Sequence, residues 1–113
     1  MPQQRVNREA APAAVQATVA ELGRSIATAR IRRKLREEDL AAKAGISRTT
    51  LRRIEAGELG TGIGAYAAVL WALGLDGQLA TVANPEQDME GQTLEAARRG
   101  ERVRRGRGLN DDF

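Results

Sequence analysis

Three glycines punctuate the middle of this chain. Gly45, Gly57 and Gly74 each follow a stretch whose apolar residues recur every three or four positions. Glycine enters the left-handed backbone conformation at little steric cost, so each is placed to end a helix. The spacing leaves room only for short helices between them. No run alternates apolar and polar residues over a length useful to a strand. The chain has 20 alanines and 12 glycines, but only three aromatic residues, Tyr66, Trp71 and Phe113, among its 113 residues. Such a core is thin and helical, with small side chains that let backbones approach. The expected class is all-α. The length fits one domain of about 60–80 residues plus tails, and excludes a two-lobed enzyme.

The apolar spacing sets the elements. Val15, Val19, Leu22, Ile26 and Ala29 form one stripe on a helix opened by Pro12 and running to about Lys34. Its alanine-rich start reads as a helical N-terminal extension, with Val15 and Val19 either frayed or packed on a partner subunit. A second helix is expected from Arg36 to Lys43, with Leu40 and Ala44 inward. Ser47 then caps a third over Arg48 to Glu55, with Leu51 and Ile54 inward. Ile63 to Leu73 makes a fourth. Leu75, Leu79 and Val82 mark a short fifth starting near Asp76, and Asn84-Pro85 closes the domain. Residues 1–12 are expected to be disordered, 13–84 to form the domain, and 85–113 a charged and largely flexible tail. A short helix around Thr93 to Arg99 is expected within that tail.

Several chemistries are excluded by residue type. The chain has no cysteine and no histidine, which removes disulfides, the usual zinc-finger ligands and histidine acid–base catalysis. No catalytic residue, metal or cofactor is expected. Gly60, Gly62 and Gly64 lack the lysine and the preceding strand of a phosphate-binding loop. No apolar run of about 18 residues exists to span a membrane, and Arg5 and Arg8 are not followed by the apolar stretch of a signal peptide. The absence of cysteine leads to the expectation of a cytoplasmic protein.

The net charge is only +3, but sixteen of the eighteen basic residues are arginine, whose planar fork suits phosphates and guanine edges. Their placement is informative. The two short helices joined by Ala44-Gly45-Ile46-Ser47 form a helix-turn-helix pattern, in which the second helix enters the major groove of DNA. That helix turns Arg48, Thr49, Arg52 and Arg53 outward. Arg48 and Arg53 are suited to guanine and the Thr49 methyl to thymine. Arg36, Lys43, Ser47, Thr50, Arg52 and the backbone at Gly62 and Gly64 are expected to hold phosphates.

Residues 22–83 resemble the Cro/CI-like, or XRE-type, helix-turn-helix domain of the lambda-repressor-like fold. The resemblance rests on Leu22-Gly23, Ile26, Ala29-Arg30, Leu35, Leu40-Ala41, Ala44-Gly45-Ile46-Ser47, Thr50-Leu51, Arg53-Ile54-Glu55, Gly57 and Ala72-Leu73-Gly74-Leu75. It implies five packed helices, a third helix that reads DNA, homodimers on palindromic operators, and a structural ion pair between Arg30 and Glu55. Two positions depart from the pattern. Glu37 stands where the family often has a phosphate-binding glutamine. Trp71 stands where a charged residue usually faces solvent, which marks it for an interface or for cover by a neighbouring element. Trp71, Leu75, Leu79 and Val82 are the expected dimer or partner surface, with Phe113 as a further anchor.

The end of the chain is similar to small XRE regulators, the HipB-like antitoxins found beside HipA-like kinase toxins, through Leu79, Ala83-Asn84-Pro85, Asp88, Gly91, Leu94-Glu95 and the trailing arginines. This implies an autorepressor of a toxin–antitoxin operon with a toxin as partner. Two other readings stay open: a stand-alone phage-like or housekeeping regulator, and an interaction module that has lost DNA binding, favoured by Glu37, Glu38 and Asp39.

Overall fold

The computed structural model describes residues 10–110, with side chains through Gly106. Within that span six helices follow one another: α1 (Ala13–Arg32), α2 (Glu37–Ala44), α3 (Arg48–Glu55), α4 (Ile63–Ala72), α5 (Asp76–Ala80) and α6 (Met89–Asn110). There is no strand among the described residues. The chain divides into two units, 1–79 and 80–113.

The first four helices end in the same way. At each end two backbone N–H groups turn back onto the last carbonyls. At α2, Ile46 N–H donates to Ala41 O at 3.0 Å and Gly45 N–H to Ala42 O at 3.2 Å. The same pair of bonds closes α3 at Gly57 and α4 at Gly74. All three glycines have φ between +73° and +78°. These bonds satisfy carbonyls that a helix end would otherwise leave unpaired. The end of α1 has the same bonds, Leu35 N–H to Arg30 O at 3.2 Å and Lys34 N–H to Ile31 O at 2.9 Å, but lysine takes the left-handed position, at φ 56°. In three of the four motifs the next residue is apolar, and Leu35, Ile46 and Leu75 all fold back against the core.

Ile26, Leu40, Leu51, Ile54 and Val69 are fully enclosed, and Ala29, Ala41, Tyr66, Leu70, Ala72 and Leu73 complete the core. Burying such side chains contributes roughly 1.5–3 kcal/mol each for the large ones. Tyr66 points inward and its hydroxyl donates to the Glu58 carbonyl at 3.4 Å. Gly23 lets α1 lie directly on the end of α3: a Cβ there would stand 2.6 Å from Ile54 O and 2.7 Å from Glu55 O.

Four expectations need correction. Helix α1 begins after Pro12 and ends at Arg32, two residues short of Lys34. Its expected stripe is only partly internal, because Val15 and Leu22 are exposed at the rim of an apolar groove with Leu59, Ile63 and Tyr66. Helix α5 stops at Ala80, so Val82 lies in the turn beyond it and is exposed. The short helix expected around Thr93 to Arg99 is part of a 22-residue helix. The Asp88 carboxylate accepts from Gly91 N–H at 3.0 Å at its start, and alanine, glutamate and arginine then sustain it. Every residue of α6 with a described side chain is exposed, except Gly91, Gly100 and Gly106.

Candidate nucleic-acid interface

The helix-turn-helix unit is α2, the turn 45–47, and α3. Ser47 holds the start of α3: its Oγ accepts from Thr50 N–H at 3.0 Å and lies 2.9 Å from the Thr50 hydroxyl. Leu51 and Ile54 are completely buried, which fixes the rotation of α3 about its axis. Arg48, Thr49, Arg52 and Arg53 are then on the outside. The lower edge is set by Arg30, whose Nε and one terminal nitrogen donate to the two Glu55 carboxylate oxygens at 2.9 and 3.0 Å.

The arginines of this surface are not bare. Glu37, the first residue of α2, receives Arg52 Nε at 2.8 Å and Arg48 Nε at 3.2 Å on the same oxygen. Arg48 also lies 3.6 Å from Glu38, and Arg53 lies 3.6 Å from Glu58. Arg36 pairs with Glu38 at 3.3 Å and with Asp39 at 3.2 Å. The hydrogen bonds from Arg52 and then Arg48 hold the Glu37 carboxyl below the usual glutamate range. The Arg36 side chain and backbone do the same for Asp39. Placing Glu37, Glu38 and Asp39 in the first turn of α2 also favours that helix through its dipole.

Other expected residues fall around this face. Lys43 is exposed in the last turn of α2. Gly62 is the residue before α4, and Gly64 is in its first turn; a side chain at either would meet nothing within 4 Å. Thr50, Arg53, Thr61 and Gly62 line one open cleft with Glu58 and Gly60. The interface candidates divide. Trp71 and Val82 are 59% and 67% exposed, whereas Leu75 and Leu79 are partly consumed by their own core. Phe113 lies outside the described residues.

The sequence profile of the helix-turn-helix domain matches residues 21–82. The chain belongs to the helix-turn-helix domain family. The matched region runs from Glu21 in α1 to Val82 just past α5, in keeping with the XRE-type resemblance, and indicates a DNA-binding regulator. No curated protein matches the chain significantly. Among the described residues of this helix-turn-helix protein no acidic cluster is arranged to hold a metal, and no helix is long and apolar enough to cross a membrane.

The pairing of α2 carboxylates with α3 arginines is what reading the sequence missed. Its signal was the three consecutive acids at Glu37, Glu38 and Asp39, eleven and fifteen residues before the arginines, counted from Glu37. That separation has no meaning until the turn is fixed.

Proposed function

We propose that the protein is a sequence-specific transcriptional repressor that lays α3 in the major groove of duplex DNA. The observation that carries this is the division of α3 itself. Leu51 and Ile54 are fully buried, and every other side chain of its first six residues is turned outward or half-covered at the cap. In this reading Arg48, Thr49 and Arg53 face base edges, and Arg36, Lys43, Ser47, Thr50, Arg52 and the backbone at Gly62 and Gly64 face phosphates. The protein binds palindromic operators as a homodimer in the bacterial cytoplasm, with Trp71, Leu75, Leu79 and Val82 at the interface and Phe113 as a further anchor. It is a binding protein and not an enzyme.

The test is binding-site selection with the purified chain, followed by Arg48→Ala and Arg53→Ala on the selected duplex and on a random one. Each substitution is expected to cost ~1–3 kcal/mol on the selected duplex and less on the random one. Equal, unaltered binding to both duplexes sinks the base-reading assignment.

The similarity of residues 79–107 to HipB-like antitoxins supports a finer reading, the autorepressor of a toxin–antitoxin operon with a HipA-like kinase toxin as partner. Isolation of the protein from its own cells tests this: co-purification with a kinase encoded next to it is expected, and isolation alone favours a stand-alone regulator. The α2 carboxylates Glu37, Glu38 and Asp39, set against the α3 arginines, favour a different reading, an interaction module without DNA binding. Failure to select any duplex would decide for it.

A further inference from the structure

Glu37 sits where an acid works against binding to a polyanion. It heads α2 at the edge of the α3 surface, and one of its oxygens holds two of the arginines there. Helix capping does not require it. Asp39 already accepts the Arg36 backbone N–H at 3.2 Å, and Glu38 also stands in the first turn. Glu37 is the most covered member of its group, with its side chain 30% exposed against 51% for Arg48 and 58% for Arg52.

The form of the contact matters. Both arginines bond Glu37 through Nε. The terminal nitrogens of Arg52 make no hydrogen bond among the described residues, and those of Arg48 have only the longer Glu38 approach at 3.6 Å. Recognition of guanine uses a paired, in-plane fork, whereas attraction to phosphates depends mainly on net charge. A guanidinium tethered at Nε keeps its terminal fork and loses rotational freedom. The same carboxylate cancels charge that would otherwise draw any duplex.

We propose that Glu37 is a specificity-determining residue: by holding Arg48 and Arg52 at Nε it orients the Arg48 fork for base edges, and by offsetting the charge of both, the phosphate-facing Arg52 included, it suppresses sequence-independent attraction to the DNA backbone. This rests on the reading of α3 as a DNA-binding helix. Glu37 is thus a positioning residue, and DNA is discriminated by what α2 withholds as well as by what α3 offers.

The experiment compares the full chain with Glu37→Gln and with Glu90→Gln, which removes the same charge from α6. Affinity for a selected duplex and a random duplex is measured by fluorescence anisotropy across salt concentrations. Glu37→Gln is expected to raise random-duplex affinity by roughly 3–10-fold near physiological salt, and to steepen the salt dependence by about one ion. Its preference for the selected duplex should fall by a similar factor. Glu90→Gln should change neither. In nitrogen-15 spectra the Nε–H signals of Arg48 and Arg52 should shift in Glu37→Gln, while that of Arg30, bonded to Glu55, stays in place and reports an intact fold. An unchanged preference, an equal response to Glu90→Gln, or unmoved Arg48 and Arg52 signals overturns the proposal. If Glu37→Gln does not fold, Glu37→Asp replaces it: the shorter arm should lower selected-duplex affinity while random-duplex affinity stays low, and unchanged affinity for both is again contrary. If no variant binds any duplex, the DNA-binding reading itself has failed; binding with an unchanged preference refutes only the role of Glu37.

Discussion

The Arg30 guanidinium lies along the Glu55 carboxylate with two bonds of 2.9 and 3.0 Å, while its other terminal nitrogen donates to the Leu35 carbonyl at 3.1 Å. One side chain therefore ties the end of α1 to the end of α3 and to the link before α2. The pair is largely shielded, with side chains 14% and 13% exposed, and the bonds to Glu55 raise the Arg30 pKa against the opposing effect of burial. Removing one partner leaves the other charge without its match in a partly dry site. Glu55→Ala is expected to lower stability by about 2–3 kcal/mol in urea denaturation. Arg30→Lys should recover only part of a similar loss, since an ammonium cannot supply the planar fork. A loss below about 0.5 kcal/mol for Glu55→Ala would place the pair with ordinary surface contacts.

Gly23 and Gly62 separate close packing from open space. A methyl group at Gly23 would collide with the carbonyl oxygens of Ile54 and Glu55, which are backbone atoms and cannot rotate aside. Gly23→Ala should destabilise by about 1–3 kcal/mol, despite alanine's higher helix propensity. Gly62→Ala meets nothing within 4 Å and should lie within about 0.5 kcal/mol of the parent. Thermal melts of the two variants check this contrast, which reverses if α1 can lift freely from α3.

The first four helix ends show which parts of the fold could be read from the sequence. Gly45, Gly57 and Gly74 were readable because a glycine after an apolar period has a strong local meaning, and all three take the left-handed turn. Lys34 performs the same turn without any such sign, so α1 looked two residues longer than it is. Leu40, Leu51 and Ile54 were readable as core because helical period alone decides their face. The pairing of Glu37 with Arg48 and Arg52 was not, because it depends on the angle at which α2 meets α3. The length of α6 was hidden for another reason. Its sequence has too few apolar residues to make a helical stripe, and its signals are an N-terminal aspartate and favourable helix formers, which its glycines and arginine run obscured.

Lys34 gives a direct test of that account. A residue with a Cβ at φ 56° bears a cost of roughly 1 kcal/mol that glycine avoids. Lys34→Gly should therefore stabilise the protein by about 0.5–1 kcal/mol, after allowing for glycine's greater freedom in the unfolded chain. Lys34→Ala, which keeps the Cβ, should bring no such gain. Equal melting temperatures for all three proteins would show that the turn carries no strain.

Acid should loosen the α2–α3 face before neutral pH has any effect on it. Glu37 and Asp39 both have folded pKa values below their ordinary 4.5 and 3.8, chiefly through bonds from Arg52 and from Arg36 respectively. The folded state thus binds these protons more weakly than the unfolded state. Their stabilisation is complete above the ordinary values and is lost as pH falls through the lowered ones. Melting temperature should hold steady from these groups between pH 5 and 7 and decline below about 4.5. The double variant Glu37→Gln, Asp39→Asn should show a shallower decline. Parallel acid limbs for both proteins would show that these ion pairs add nothing to the folded state.

Trp71 supplies an internal probe of self-association. It is the only tryptophan, and at 59% exposure its indole faces water in the single chain. Trp71 stands out of a helix that gives Tyr66, Val69, Leu70 and Ala72 to the core, and a large exposed aromatic is favoured at interfaces, where burying its flat face removes apolar area from water. If it forms part of the proposed dimer surface, its fluorescence should be that of a wet indole in dilute solution. The emission should shift to shorter wavelength as protein concentration rises, in step with the mass seen by sedimentation. Trp71→Glu should leave the fold of the single chain within about 0.5 kcal/mol, since no core space depends on the ring, yet shift the monomer–dimer balance to monomer. A dimer that forms with the emission unmoved, and equally well in Trp71→Glu, would place the contact elsewhere on the protein.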